Sequence, residues 1–292
     1  MTKAAAIGVL GATSFVGACL LPQLRQNGYS VAAFSRRPRN AAEPGVEWRQ
    51  LEPRTASIPK NPAAIPNWIC VAPLWALLDQ LPLLEAYGVQ RLVALSSTSR
   101  FTKDTSIDLE EQALARRLAD AEQRIQAWAQ QRGVAWTILR PTLIYGLQQD
   151  KNITEIASFI RRFGFFPVFG KANGLRQPIH AADVAGACVA ALQSPEAANR
   201  AYNISGGETL AYRSMVVRVF TALGRRPRLL TVPLWMFRLA VAVLRCFPRY
   251  RNWSAAMAER MNRNLVFDHA EAVRDLGFAP RAFQLTSSDC AP

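Results

Sequence analysis

Apolar and polar positions alternate along the first two-thirds of the chain in an even rhythm of short and long runs. The short run AAIGVLG reads as a buried strand, and FVGACLLPQLRQNG after it carries apolar residues at helical spacing as far as Gly28. SVAAFSR, GVEWRQL and NWICVAP read as a second, third and fourth strand. Leu74 to Tyr87 has the helical period and is closed by Gly88, and VQRLVALSS is a fifth strand. Glu110 to Gln131 is a long helix closed by Gly133, with VAWTILRP a sixth strand behind it. Period alone does not assign runs as short as VAAF; their even spacing does. This alternation predicts an α/β fold, a doubly wound parallel sheet covered by helices on both faces.

The last third has a different texture. After Tyr145 the pattern gives a helix from Ile153 to Phe163, a loop rich in glycine and phenylalanine (FGFFPVFGKANG), and a helix from Ala181 to Leu192. AYNISGG reads as strand and turn, and YRSMVVRVFTALG as a helix. The expected division is a sheet domain over 1–147 and a small, mostly helical C-terminal lobe over 148–292. Elements between about 176 and 206 are expected to return to the main sheet.

The opening stretch Ala5 to Leu20 has three readings. Behind Lys3 it could be the apolar core of an export signal, its VGAC resembles a bacterial lipoprotein cleavage site, or it is a strand turning through glycines into a helix. Gly8, Gly11 and Gly17 punctuate the apolar core, and removing the first 19 residues would delete the first strand and helix of an otherwise complete pattern, which favours the third reading. There Gly11 permits the tight turn, Gly17 lets the helix pack on the sheet, and the amides between them face a pyrophosphate. The five cysteines are scattered without metal or redox spacing, and only two histidines are present. A reduced, cytoplasmic protein without a metal site is therefore expected.

GATSFVG resembles the GxxGxxG turn of the extended and atypical short-chain dehydrogenase/reductase superfamily, with Ser14 in place of the middle glycine. LVALSSTS is similar to that superfamily's fifth strand, and TILRPTLIYG to its sixth strand and following RP…YG. RQPIHAADVAGA resembles the segment that closes the substrate pocket, and LGFAPRAF the C-terminal signature. The nearest flavour is the epimerase/dehydratase-like, NmrA-like group that includes the NADPH-binding accessory subunit of respiratory complex I. The resemblance implies a Rossmann-type domain with Gly11, Ala12, Thr13, Ser14, Phe15, Val16 and Gly17 around the pyrophosphate. It also implies Ala72, Pro73 and Ser96 along the cofactor, with Pro141 near the nicotinamide end. About twenty residues past the turn, where an acid would accept the ribose hydroxyls of NAD, the chain has Ser35, Arg36 and Arg37. Two guanidiniums suit a 2′-phosphate, so NADP(H) is expected over NAD(H), unless the arginines only stand in solvent.

The same resemblance shows what is missing. Members that perform redox or epimerase chemistry usually carry Tyr-x-x-x-Lys on the long helix after the fifth strand. With Glu122 at the acid four residues beyond the lysine, the dyad positions fall on Leu114 and Leu118, and neither can move a proton. Arg116 and Arg117 stay protonated and make poor acids or bases. Thr98, Ser97 and Tyr145 are the nearest hydroxyls, Thr98 and Tyr145 being the catalytic candidates, and Tyr145 also reads as a packed aromatic. His180 and Asp183 can be read as an acid/base pair or as the start of a helix.

Charge changes the picture once more. The chain carries a net +14, and from Arg213 to Arg281 there are 13 arginines, no lysine and four acids. Residues 232–253, VPLWMFRLAVAVLRCFPRYRNW, mix aromatic, aliphatic and basic side chains in a run too short to span a bilayer. They suit a helix lying on an anionic membrane interface or one packed as a lid over the pocket. Specific nucleic-acid binding is not expected, since no reading helix or aromatic platform accompanies the charge. Phe163, Phe165, Phe166, Trp75 and Trp235 suggest an apolar ligand. Two functions follow: an NADP(H)-dependent oxidoreductase or epimerase-like enzyme with a non-standard site, or a non-catalytic NADPH-binding sensor or accessory protein.

Overall fold

The structure is a computed structural model that describes residues 6–39, 43–51, 62–104, 106, 108–150, 152–235, 255–286 and 289. Its strands are β1 (Ala6–Leu10), β2 (Ser30–Ser35), β3 (Val46–Gln50), β4 (Asn67–Cys70), β5 (Arg91–Leu95), β6 (Ala135–Pro141), β7 (Ile144–Tyr145), β8 (Phe166–Phe169), β9 (Leu175–Arg176), β10 (Ile179–His180), β11 (Arg200–Ile204), β12 (Leu210–Ala211) and β13 (Leu229–Val232). The helices are α1 (Phe15–Gln26), α2 (Leu74–Leu78), α3 (Leu81–Ala86), α4 (Ser99–Thr102), α5 (Leu109–Arg132), α6 (Ile153–Phe163), α7 (Ala181–Gln193), α8 (Tyr212–Ala222), α9 (Ala255–Asn262) and α10 (Ala270–Leu276).

Seven strands form one parallel sheet in the order β11-β6-β5-β4-β1-β2-β3. Side chains of β1 alternate between two cores. Ile7 and Val9 join α1 and α7 on one face, while Leu10 joins α2, α3 and α5 on the other. Both faces are covered, as a parallel sheet requires. The second core centres on Trp68, whose ring is fully buried and whose Nε1 donates to the Ile65 carbonyl at 2.7 Å. A Cβ at residue 8 would stand 2.5 Å from that ring, so a glycine in mid-strand is what admits the tryptophan.

A third cluster lies outside the sheet. Tyr145, Ile153 and Ile160 pack there with Phe166, Val168, Met215, Phe220 and Phe283. This lobe is built mainly from the later third of the chain, but α7 and β11 return to the sheet. β11 pairs with β6 and α7 packs against α1.

Two sequence expectations change. Leu74 to Tyr87 is two helices, since Pro82 lacks the amide that would continue α2 into α3. The supposed loop FGFFPVFGKANG holds strand β8, which pairs in parallel with β13 sixty-three residues further along. Most of the basic segment 232–253 lies outside the described residues.

Candidate functional site

Strand register brings the carboxyl ends of the sheet into one row. Leu10 pairs with Phe34 and Cys70, Leu95 with Leu139, and Ile204 with Pro141. Gly11, Ser35, Ala72, Ser96 and Pro141 therefore lie along a single edge, with the strand order reversing between β1 and β4. A crevice outside the carboxyl ends at such a reversal is where open α/β sheets take ligands.

At that reversal the chain turns sharply. Gly11 has φ +81°, and a Cβ there would stand 2.4 Å from the Ala72 amide nitrogen. Only glycine meets both demands. A Cβ on Gly17 would stand 2.4 Å from the Ala12 carbonyl oxygen, so its absence lets α1 start directly above the turn. Ser14 caps α1: its Oγ accepts from the Gly17 amide at 3.1 Å, and its own amide donates to the Gly11 carbonyl at 2.9 Å. The hydroxyl proton remains available to an anion. The Phe15 and Val16 amides, in the first helical turn, lack intrahelical acceptors. Ala12 and Val16 are buried, Thr13 is exposed, and Phe15 packs against the sheet core. A compact bed of backbone donors at a helix N-terminus fits a pyrophosphate.

Ser35 is buried beside this turn at the end of β2, its Oγ accepting from the Arg37 amide at 3.3 Å. Arg36 and Arg37 are exposed one and two residues further on. Across the reversal, Ala72 is half-buried and Pro73 is exposed at the start of α2. Trp75 follows, with the Arg117 guanidinium 4.2 Å from its ring centre.

The edge beyond β5 is closed by side chains. Glu122, on α5, is 1 % exposed and accepts from Ser96 Oγ at 2.5 Å. Arg140 meets the same carboxylate through Nε at 3.1 Å and Nη2 at 2.7 Å, and Arg100 binds it as well. One buried acid thus holds two guanidiniums, leaving the cluster net positive. Phe101 lies beside both arginines, with guanidinium-to-ring distances of 5.0 Å to Arg100 and 5.3 Å to Arg140. One turn before Glu122, Leu118 is buried in the core; Leu114, a turn earlier, packs against the same cluster.

The candidate acids and bases are engaged elsewhere. Thr98 is buried, and its amide and hydroxyl both donate to the Pro141 carbonyl at 3.1 Å. Ser97 Oγ accepts from the Ser99 amide. Tyr145 is fully buried, edge-on to His180 and Phe283, and its hydroxyl lies 3.3 Å from the Gln284 carbonyl. Burial pushes its phenol up to about 12. His180 caps α7, its Nδ1 accepting from the Ala182 amide, and its Nε2 stands 3.6 Å from Asp289. Asp183 accepts from Arg281 instead, so the geometry does not join His180 and Asp183 as a pair. Of the aromatics, Phe166 is in the lobe core while Phe163 and Trp235 are exposed.

Sequence reading missed a second cluster at the mouth of α5. Glu111 accepts from Ser106 Oγ at 2.8 Å, lies 3.4 Å from Lys103 Nζ and pairs with Arg260 of α9. Burial, and then the nearby Arg260 charge, hold the Lys103 ammonium below the usual lysine range. Arg263 Nη1 donates to the Thr102 carbonyl at 3.2 Å, so the end of α4 and the start of α5 are each tied to the lobe. Lys103, Ser106 and Glu111 lie within nine residues, but no period joins them to Arg260, 149 residues beyond Glu111. Among the described residues, no group of three or more His, Cys, Asp or Glu could hold a metal ion.

Residues 75–205 match the model of the NAD dependent epimerase/dehydratase family. The chain is 25% identical over 296 residues to the uncharacterized protein y4nG of Sinorhizobium fredii, covering 94% of this chain and 74% of that protein. It is 26% identical over 98 residues to the mitochondrial NADH dehydrogenase (ubiquinone) 1 alpha subcomplex subunit 9 of Arabidopsis thaliana, covering 33% of this chain and 24% of that subunit. The fold is similar to that of the UDP-glucuronic acid 4-epimerase from Bacillus cereus solved with NAD: TM-score 0.71, 14% identity, 97% of this chain and 95% of that one.

Proposed function

From the premise that this chain belongs to the extended short-chain dehydrogenase/reductase superfamily, on its epimerase/dehydratase side, we propose that it holds NADP(H) in the cytoplasm as a bound ligand and not as the hydride carrier of an epimerase. The observation that carries this reading is the leucine pair on α5. With Glu122 set at the acid four residues beyond the lysine, Leu114 and Leu118 take the positions of the superfamily's proton-transfer dyad, and Leu118 is buried in the core. The Thr98 and Tyr145 hydroxyls, the remaining candidates, donate to backbone carbonyls. When bound, a nicotinamide dinucleotide supplies a hydride donor or acceptor. The residues of this chain would bind its pyrophosphate at Gly11–Gly17 and its 2′-phosphate at Arg36 and Arg37.

A second reading is an oxidoreductase acting on a small, apolar substrate. Lys103 favours it: half-buried beside Glu111, with burial and the nearby Arg260 charge holding its ammonium below the usual lysine range, it gives up a proton more readily than an exposed lysine. Identification of the nucleotide in purified protein, then NADPH turnover with a carbonyl and quinone panel, separates the two. Tight NADPH binding without turnover supports the ligand reading; steady turnover that is lost in Lys103→Met overturns it. Arg36→Glu/Arg37→Glu should weaken NADPH at least tenfold while leaving NADH within about threefold, since charge-assisted phosphate contacts contribute roughly 1.5–3 kcal/mol each. Equal loss of both nucleotides would remove the 2′-phosphate assignment.

A further inference from the structure

One edge of the lobe is made of arginines and uncovered apolar side chains. From Arg225 to Arg228 every residue is exposed, followed by Leu230 at 53%, Thr231, Pro233 and Trp235 at 67%. The same edge includes the end of α6, where Arg162 and Phe163 are exposed, Phe163 at 50%. Four hydrogen bonds hold these pieces together. Arg225 Nη1 donates to the Ile160 and Arg161 carbonyls, the Phe166 amide donates to the Arg228 carbonyl, and Arg213 reaches Thr231 at 3.4 Å. β13 pairs with β8 along one side only among the described residues.

Charge identifies the partner. Between Glu208 and Glu259 the sequence has nine arginines and no aspartate, glutamate or lysine. An edge whose described residues 225–235 carry arginines and no acid, with a tryptophan, a leucine and the phenylalanine at the end of α6 standing out among guanidiniums, has the chemistry of an anionic lipid interface. Guanidiniums meet phosphate headgroups there, and tryptophan settles at headgroup depth with leucine and phenylalanine in the acyl boundary. Among the described residues, no helix is long and apolar enough to cross a membrane, so the contact is peripheral.

We propose that the edge formed by the end of α6 and residues 225–235 docks the protein onto membranes rich in anionic phospholipid.

The test is cosedimentation of the full chain with vesicles of phosphatidylcholine alone and with 30 mol% phosphatidylglycerol, in low and high salt. The expected result is binding to the anionic vesicles only, weakened at least fivefold by high salt. Arg226→Glu/Arg228→Glu should weaken it at least tenfold, and Leu230→Ser/Trp235→Ser several-fold. Arg116→Glu/Arg124→Glu on the exposed face of α5 makes the same change in net charge and should leave binding within twofold. Unchanged melting temperature and NADPH affinity certify that the variants fold. Equal binding to both vesicles, no binding to either, or equal loss from the α5 reversal would overturn the proposal. So would a duplex DNA that binds more tightly than the anionic vesicles and is lost with Arg226 and Arg228, which would make this a nucleic-acid surface.

Discussion

The turn after β1 and the helix after β5 face the same edge of one sheet and are built on opposite principles. The turn is made of backbone. Two glycines keep side chains out, and donors in the first turn of α1 are left over for a ligand. The β5–α5 end is made of side chains that answer one another, with Glu122 taken up by Ser96, Arg100 and Arg140, and Leu114 and Leu118 turned into the core. One end of the edge thus leaves backbone donors open, while the other is closed by side chains that satisfy one another. The two halves should respond differently to substitution.

The largest effect belongs to the closed end. Glu122→Gln removes the counter-charge from two largely buried guanidiniums, and breaking a buried pair from one side costs about 3–5 kcal/mol. Urea unfolding should register that loss, with dinucleotide affinity changed far less than stability. A loss under about 1 kcal/mol would mean that water reaches the cluster and that this end is not closed. Gly11→Ala sharpens the other side of the comparison. The added methyl meets the Ala72 backbone in a left-handed conformation, so a loss of about 2–3 kcal/mol is expected, with NADPH affinity down at least a hundredfold. If affinity survives while stability falls, the pyrophosphate lies elsewhere.

The open half was far more legible in the sequence than the closed one, and the reason is distance along the chain. The glycine turn, the capping Ser14 and the arginines after β2 are local signals, each set by residues within a few positions. The elements of the sheet follow from period and spacing in the same way. Glu122 is marked by its place on the helix, but its partners Arg100 and Arg140 come from the short helix α4 and from β6, which no period connects. β8 looks like a loop in the sequence because FPVF between glycines has no alternation to show, and its partner β13 lies far down the chain. Arg260 joins Lys103 and Glu111 in the same way, brought to them by the lobe folding back.

The smallest expected effect tests whether charge pairs away from the cleft behave like the Glu122 cluster. Asp275 ends α10 and accepts from Arg274 at 2.7 Å, from the Tyr202 hydroxyl at 2.9 Å and from Arg200 at 3.1 Å, tying the last helix to the edge strand β11. The Arg274 hydrogen bond first, and then Tyr202 and Arg200, hold its carboxyl down at about 2. A carboxyl lowered on folding adds stability that is complete above its unfolded value, about 3.9, and is lost as pH falls through its folded one. The wild type should therefore lose stability between pH 4 and pH 2 from this group, while Asp275→Asn starts lower and falls less. The gap between their melting temperatures should be widest above pH 4 and should narrow toward pH 2. Because the arginines are largely solvent-exposed, the gap should stay well below that of Glu122→Gln and shrink with added salt. A gap of constant width across that range would assign the contribution of Asp275 to packing, and the contrast between a buried cluster and a surface one would then rest on Glu122 alone.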